Sequence, residues 1–139
     1  MTATYDPKKV SVIVSGRQIT GFADGTFINV TRDTESFTDN VGSDGEVART
    51  RSNDNRGSIV ITLQQISDSN DFLSQLLAAD ELNGGGVFNV LVRDQLGRAI
   101  YQAAEAWIQK PADSEFAREA GSREWTIRCA ELIPFVGGN

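Results

Sequence analysis

The chain has 139 residues, enough for one domain with a hydrophobic core, and its 40% hydrophobic and 23% charged residues are typical of a globular protein. It contains no histidine and a single cysteine, Cys129, which excludes Ser-His-Asp and Cys-His catalysis, Cys/His zinc sites and an intramolecular disulfide. The net charge of −6 argues against binding of nucleic acid through its phosphates, and no apolar run is long enough to anchor the chain in a membrane.

The first half of the chain has the two-residue periodicity of β-strands. Val10, Val12 and Val14 alternate with other residues, and Ile59, Ile61 and Leu63 do the same further along. Gly16-Arg17 is typical of a tight hairpin turn, because glycine adopts positive φ readily. The pattern predicts strands at 9–15, 18–20, 26–32 and 58–64.

One segment has helical periodicity instead. Residues 70–79 place Phe72, Leu73, Leu76 and Leu77 on one stripe, which predicts an amphipathic helix. We expect Ser69 or Asn70 to cap its first turn. The successive glycines of 83–86 are expected to end it.

The chain after the helix returns to strands, which are predicted at 87–93, 98–109 and 123–133, with a turn at 94–97. Trp125, Ile127, Cys129 and Ile133 are expected on one buried face. The total is six to eight strands and one helix. The sequence therefore predicts a mainly β fold, an antiparallel β-sandwich or barrel with one flanking α-helix, in a single domain over 1–139.

Residues 36–57, called the arm from here on, break this pattern. The arm is polar and has little to bury, which is unusual inside a compact domain. A mobile surface loop is one interpretation, and a segment that orders against a partner subunit is the other. Alternation from Val47 to Ser52 predicts a short strand in its second half.

Neither a catalytic site nor a cofactor or metal site is expected. The carboxylates of the arm lack the spacing of a calcium loop, and no pair of glutamates is diagnostic of glycosidase chemistry. Arginine is favoured where planar contacts to carboxylates cross an interface. We therefore expect contacts between subunits in the arm, at Asp44, Glu46, Arg49, Arg51 and Arg56.

Several segments together resemble one known family, the tail tube proteins of contractile-tailed bacteriophages. They include the opening 4–14, the Asp-Gly-Thr-Phe turn within 21–27, and the segments 45–49, 69–71, 79–82, 106–110 and 123–125. The end of the chain, Phe-Val-Gly-Gly-Asn at 135–139, completes the set. The resemblance spans nearly the whole chain, and the combination of the turn with this ending is its most specific part.

The resemblance implies a structural, non-enzymatic subunit that forms hexameric rings stacked into a tube, with a sheath around it and baseplate and tail terminator proteins at its ends. DNA would pass through the channel without specific binding, and a net-negative wall would prevent it from sticking. Glu105, Glu124 and Glu131 are the candidate channel acids. The location implied is the virion, after assembly in the host cytoplasm.

Other functions stay open at this point. A tube subunit of a related contractile injection or secretion system would share the fold and the assembly. A small-molecule-binding β-barrel would have the same strand count with a closed apolar pocket, and a glycan-cleaving enzyme is a more remote alternative.

Overall fold

The computed structural model describes residues 2–138, and this part of the chain forms ten β-strands, one α-helix and a short 3-10 turn at Pro7–Lys9. The strands are β1 (Val10–Val14), β2 (Arg17–Gln18), β3 (Ile28–Arg32), β4 (Phe37–Val41), β5 (Val47–Arg51), β6 (Gly57–Gln64), β7 (Phe88–Asp94), β8 (Ile100–Ile108), β9 (Ser122–Cys129) and β10 (Ile133–Phe135). The helix is α1 (Ser69–Asn83). The predicted mainly β, antiparallel fold with one helix is confirmed.

Eight strands form one antiparallel sheet in the order β2-β1-β7-β8-β9-β6-β3, with β10 paired to β8. The sheet curls, because side chains near its two ends enter the same core: Val12 of β1 and Ile59 of β6 are both fully buried in one cluster. Val10 of β1 and Val30 of β3 also line a common cavity of about 400 Å³. The result is a barrel-like sandwich whose inward side chains alternate with outward ones.

The helix covers the core with Leu73 and Leu77. It ends as predicted, because Gly84 takes the left-handed conformation with φ of 72°. The predicted cap is wrong: Asp68 is the residue that precedes the helix, and its side chain makes no capping hydrogen bond. The Ser69 hydroxyl instead accepts a hydrogen bond from the Thr20 amide at 3.0 Å, which fastens the helix to the β2–β3 connection.

The predicted last strand is also divided in two. Trp125, Ile127 and Cys129 are buried on one face as expected, but Ile133 is 53% exposed. The chain bends after Cys129, and Leu132 takes the buried position. Opposite this bend β8 carries one extra residue relative to β7, since Phe88 pairs with Ala106 while Val90 pairs with Ala103. The bend therefore turns Ile133 outward.

The arm is folded rather than irregular. Its first half contains β4 and its second half contains β5, so the strand predicted after Val47 is confirmed and the one before it was missed. These two strands form a separate two-stranded sheet.

Candidate assembly surfaces

The hairpin of the arm stands apart from the core. Phe37 lies opposite Arg51, and Val41 lies opposite Val47. Every residue of both strands is exposed, and within residues 2–138 neither strand pairs with the main sheet. A two-stranded hairpin alone is at best marginally stable in water. Contact with another surface would therefore stabilise the hairpin.

The two faces of this hairpin differ in chemistry, because residues directly opposite each other share a face. One face, called the docking face here, consists of Phe37, Asp39, Val41, Val47, Arg49 and Arg51. The other face carries only Thr38, Asn40, Ala48 and Thr50. On the docking face the Arg49 guanidinium lies 4.3 Å from the centre of the Phe37 ring, a cation–π contact. Val41 and Val47 are 64% and 65% exposed.

The tip of the hairpin contains the two predicted acidic contact residues. The Asp44 carboxylate accepts a hydrogen bond from the Glu46 amide at 3.2 Å, and the Gly42 amide donates to the Glu46 carbonyl at 2.8 Å. Gly45 has a φ of 86°, which glycine alone adopts without strain. Asp44 therefore shapes the turn, while Glu46 presents its carboxylate at the end of the arm.

The root of the arm is held by charged groups. Arg56 donates two hydrogen bonds of 2.9 Å to the Asp54 carboxylate, which lowers the pKa of Asp54 to about 2. Arg128 forms a second bidentate ion pair, with Asp33, and its two hydrogen bonds lower the pKa of the Asp33 carboxyl as well. Arg56 thus has a carboxylate partner in its own chain, whereas among residues 2–138 neither Arg49 nor Arg51 forms an ion pair.

Main-chain contacts reinforce the same root. The Asn55 carbonyl accepts from the buried Leu132 at 2.8 Å, and the Asn55 side chain accepts from Arg32. The Asp33 amide donates to the Arg56 carbonyl at 3.0 Å. The arm therefore leaves the sheet from a defined base.

The predicted channel acids lie in two places. Glu124 is exposed on the outward side of β9. Glu105 is exposed at the extra residue of β8, and its carbonyl accepts from the Ala130 amide, one residue before the exposed Glu131. Because Glu124 is six residues before Ala130 along a strand, it is separated from the other two acids by about 20 Å.

The outward side of β3, β6 and β9 is mostly polar, and we call it the polar face. Thr31, Ser58 and Arg128 follow one another across it in register. Asn29, Thr62, Glu124 and Thr126 lie on the same side. Because most of these side chains carry hydroxyl or amide groups, we expect this surface to stay hydrated.

The outward side of β1, β7, β8 and β10 is different, and we call it the apolar face. One cross-strand row runs Ile13, Leu91, Gln102, Ile133, and the next runs Ser11, Arg93, Ile100, Phe135. The first row lines a groove of about 640 Å³. Five of these eight side chains are apolar, and exposed apolar patches on an outer surface mark interaction sites.

Sequence reasoning missed both the docking face and the apolar face. The Asp44-Gly45 pair is a hairpin signal that could have revealed β4 and β5. The apolar face arises from the outward turn of Ile133 and Phe135, which depends on the bend after Cys129 and has no local signal.

Metal-binding groups, the single thiol and the length of the helix also bear on function. Among residues 2–138 no three acidic or cysteine side chains are grouped to hold a metal ion. Burial raises the pKa of the Cys129 thiol to about 11, so the nucleophilic thiolate is suppressed. In the same part of the chain no helix is long and apolar enough to cross a membrane.

Known structures share this architecture. The chain is similar to the tube-terminating cap of the anti-feeding prophage, with a TM-score of 0.67 and 9% identity over 97% of this chain and 93% of that one. It is also similar to a chain of the sheath–tube complex of the extracellular contractile injection system PVC, with a TM-score of 0.65 and 11% identity over 95% and 91% of the two chains. A chain of the PVC sheath/tube terminator gives a TM-score of 0.64 at 11% identity, over 97% of this chain and 99% of that one. At these identities the likeness concerns the fold.

Sequence relatives narrow the assignment. "Structural protein ORF10" of Pseudomonas phage KPP10 is 29% identical over 146 aligned positions, covering 99% of this chain and 84% of the relative. The sequence model described as "Bacteriophage PhiTE tail tube protein" matches residues 9–137. The chain belongs to this family of bacteriophage tail tube proteins.

Proposed function

We propose that this chain is the repeating subunit of a phage tail tube, forming hexameric rings that stack around a central channel for DNA. The observation that carries the proposal is the hairpin of the arm, which exposes Val41 and Val47 and finds no strand partner in residues 2–138. A surface of this kind gains stability only against another molecule. In a ring or stack, each copy supplies that molecule to its neighbour.

The polar face is our candidate for the channel wall. Its hydroxyl and amide side chains stay hydrated, Glu124 adds negative charge, and the Arg128 guanidinium on this face is paired with the Asp33 carboxylate. Phosphate is repelled by such a wall, so DNA passes without specific binding. Of the predicted channel acids, Glu105 and Glu131 lie about 20 Å away along the strand direction, beside the apolar face. A channel surface with net positive charge in a structure of the assembled tube would contradict this proposal.

The partners proposed are further copies of the chain, a surrounding sheath protein, and the terminator and baseplate proteins at the tube ends. Similarity to chains from sheath–tube and terminator complexes supports this set. As a phage structural protein the chain is a component of the virion. We propose that it is assembled in the host cytoplasm and that its role there is structural, not enzymatic.

A second function is favoured by the same structural neighbours. Two of them belong to an extracellular contractile injection system, and a tube subunit of such a system is the alternative function. Purified particles distinguish the two functions. Tubes attached to DNA-filled heads support the phage tail, and headless tubes support the injection system.

Electron microscopy of the purified protein tests the assembly itself. We expect rings or tubes about ten nanometres across in negative stain, as suits six small domains in a ring. A variant in which 38–50 is replaced by a short Gly-Ser turn should stay folded and lose assembly. Deleting residues 40–55 is a less specific test of the hairpin, because the deletion also removes the Asn55 contact to Leu132. Ordinary tubes from the 38–50 variant would refute the role given to the hairpin.

A further inference from the structure

We propose that the docking face of the hairpin in one copy binds the apolar face of a second copy, with Arg49 and Arg51 pairing with Glu105 and Glu131. The inference rests on the proposed tube function and names the surface that receives the arm. All residues of the two hairpin strands are exposed, and so are Ile133 and Phe135 of the apolar face, so these side chains are open to contact with a second copy.

Apolar complementarity is the first argument. The apolar face has Ile133 and Phe135 at 53% and 58% exposure, next to the half-buried Ile13 and Leu91 of the adjoining strands. The docking face offers two exposed valines, opposite each other in the hairpin. Burying these side chains against one another removes apolar area from water on both partners.

Size is the second argument. Neighbouring strands are about 4.8 Å apart, so the four-strand row from Ile13 to Ile133 is about 14 Å wide. The groove along this row has a volume of about 640 Å³. A two-stranded hairpin is narrower than the row and fits across it.

Charge is the third argument. The docking face carries Arg49, Arg51 and one acid, Asp39. The apolar face carries one base, Arg93, within its rows, and its border beside Ile133 carries Glu105 and Glu131. The two surfaces thus hold opposite sets of charges, two bases and one acid against two acids and one base. Such a pattern steers association and fixes register.

The acids are also close enough to act together. The Ala130 amide donates to the Glu105 carbonyl at 3.0 Å, and Glu131 is the next residue. Ala104, beside Glu105, and Ile133 both line the groove, so the acids border the apolar contact instead of interrupting it. The polar face suits the hairpin less well, because its Thr31, Ser58 and Thr126 hydroxyl groups would lose water against the two valines of the docking face.

Charge reversal tests the pairing. We expect the arm variant R49E/R51E and the face variant E105R/E131R each to lose tubes while staying folded by circular dichroism, with the assembly threshold raised at least ~10-fold because like charges then face each other. In the quadruple variant, and in an equal mixture of the two double variants, opposite charges meet again and tubes should return. The matched control, T38E/T50R, places charges on the other side of the hairpin and should leave the threshold near that of the unmodified protein.

The outcomes of this experiment distinguish failure of the proposed tube function from failure of the docking inference. If the unmodified protein forms neither rings nor tubes, the proposed function falls. If it forms tubes but either double variant also forms them normally, or the quadruple variant does not recover, the docking inference is overturned while the tube function stands.

Cross-linking gives a second readout that does not depend on charge. Val47→Cys combined with Ile133→Cys should yield a ladder of disulfide-linked oligomers after mild oxidation of assembled protein, since each copy would join two neighbours. Cys129 is buried and should not take part. The control pair V47C with Thr31→Cys, on the polar face, should give no ladder. A ladder from the control pair with none from the test pair would place the arm on the polar face and overturn the inference.

Discussion

Arg128 of β9 reaches across β6 to Asp33, just beyond the end of β3, with its Nη1 and Nη2 atoms 3.0 and 2.6 Å from the two carboxylate oxygens. The residues are 95 positions apart in the chain. Because Asp33 is the first residue after the sheet on the way into the arm, this pair connects the arm to the barrel. A paired guanidinium and carboxylate of this geometry sets direction as well as distance.

Arg128→Ala should therefore loosen the base of the arm without unfolding the barrel. We expect severalfold faster hydrogen exchange at the Asp33 and Ser52 amides, which donate to the Arg56 and Ser36 carbonyls at the root. Exchange at the buried Ile61 should stay slow. Arg118→Ala, in the exposed β8–β9 connection, is the control and should leave the exchange rates at the root amides and at Ile61 unchanged.

A low-pH titration checks the other root pair. The carboxyl of Asp54 should titrate at about 2, below the ordinary aspartate value of about 3.9, because Arg56 donates to its charged form. The pKa is lower in the folded chain, so the pair stabilises the arm root above about pH 4 and loses this effect as the pH falls through about 2.

Carbon-13 NMR of the side-chain carboxyls measures this directly. R56Q should return the pKa of Asp54 toward the ordinary value, while R51Q, which removes a nearby hairpin arginine, should leave it low. An unshifted Asp54 in the unmodified protein would contradict the root geometry.

The sequence predicted features that depend on neighbouring residues, and it missed features that depend on contacts between distant segments. Alternation identified the buried Ile59, Ile61 and Leu63, and Gly84 ended the helix as expected. The strand β4 was missed because Asp39 and Asn40 are poor strand formers, and pairing across the hairpin overrides that preference. The pair Arg128–Asp33 joins distant segments, and nothing in either segment alone indicates the other. The predicted contact residues Arg49 and Arg51 do share one hairpin face, whereas Arg56 lies at the root.

Asn70→Ala should destabilise the barrel through its helix. The indole Nε1 of Trp125, a residue only 3% exposed, donates to the Asn70 Oδ1 at 2.9 Å, and the Asn70 side-chain Nδ2 donates to the Gln64 and Ser67 carbonyls. Removing the acceptor leaves a buried N–H unsatisfied, at a cost of about 1–3 kcal/mol in the free energy of unfolding. Urea titration followed by tryptophan fluorescence measures it. Gln75→Ala, exposed on the same helix, should cost less than about 0.5 kcal/mol.

Gly57→Ala tests whether the arm root and the apolar face are mechanically connected. A Cβ at Gly57 would lie 2.5 Å from Leu132 Cδ2 and 2.8 Å from the Thr31 carbonyl oxygen, so Leu132 must move. We expect a loss of about 1–3 kcal/mol from overpacking, whereas Gly121→Ala, where the nearest atom is 3.9 Å away, should be close to neutral. Leu132 is buried in the bend before Ile133, and its backbone N–H donates to the Asn55 carbonyl at 2.8 Å. A shift there should therefore displace Glu131 and Ile133 together and raise the assembly threshold of folded G57A protein. An unchanged threshold in a destabilised variant would show that the root and the apolar face behave independently.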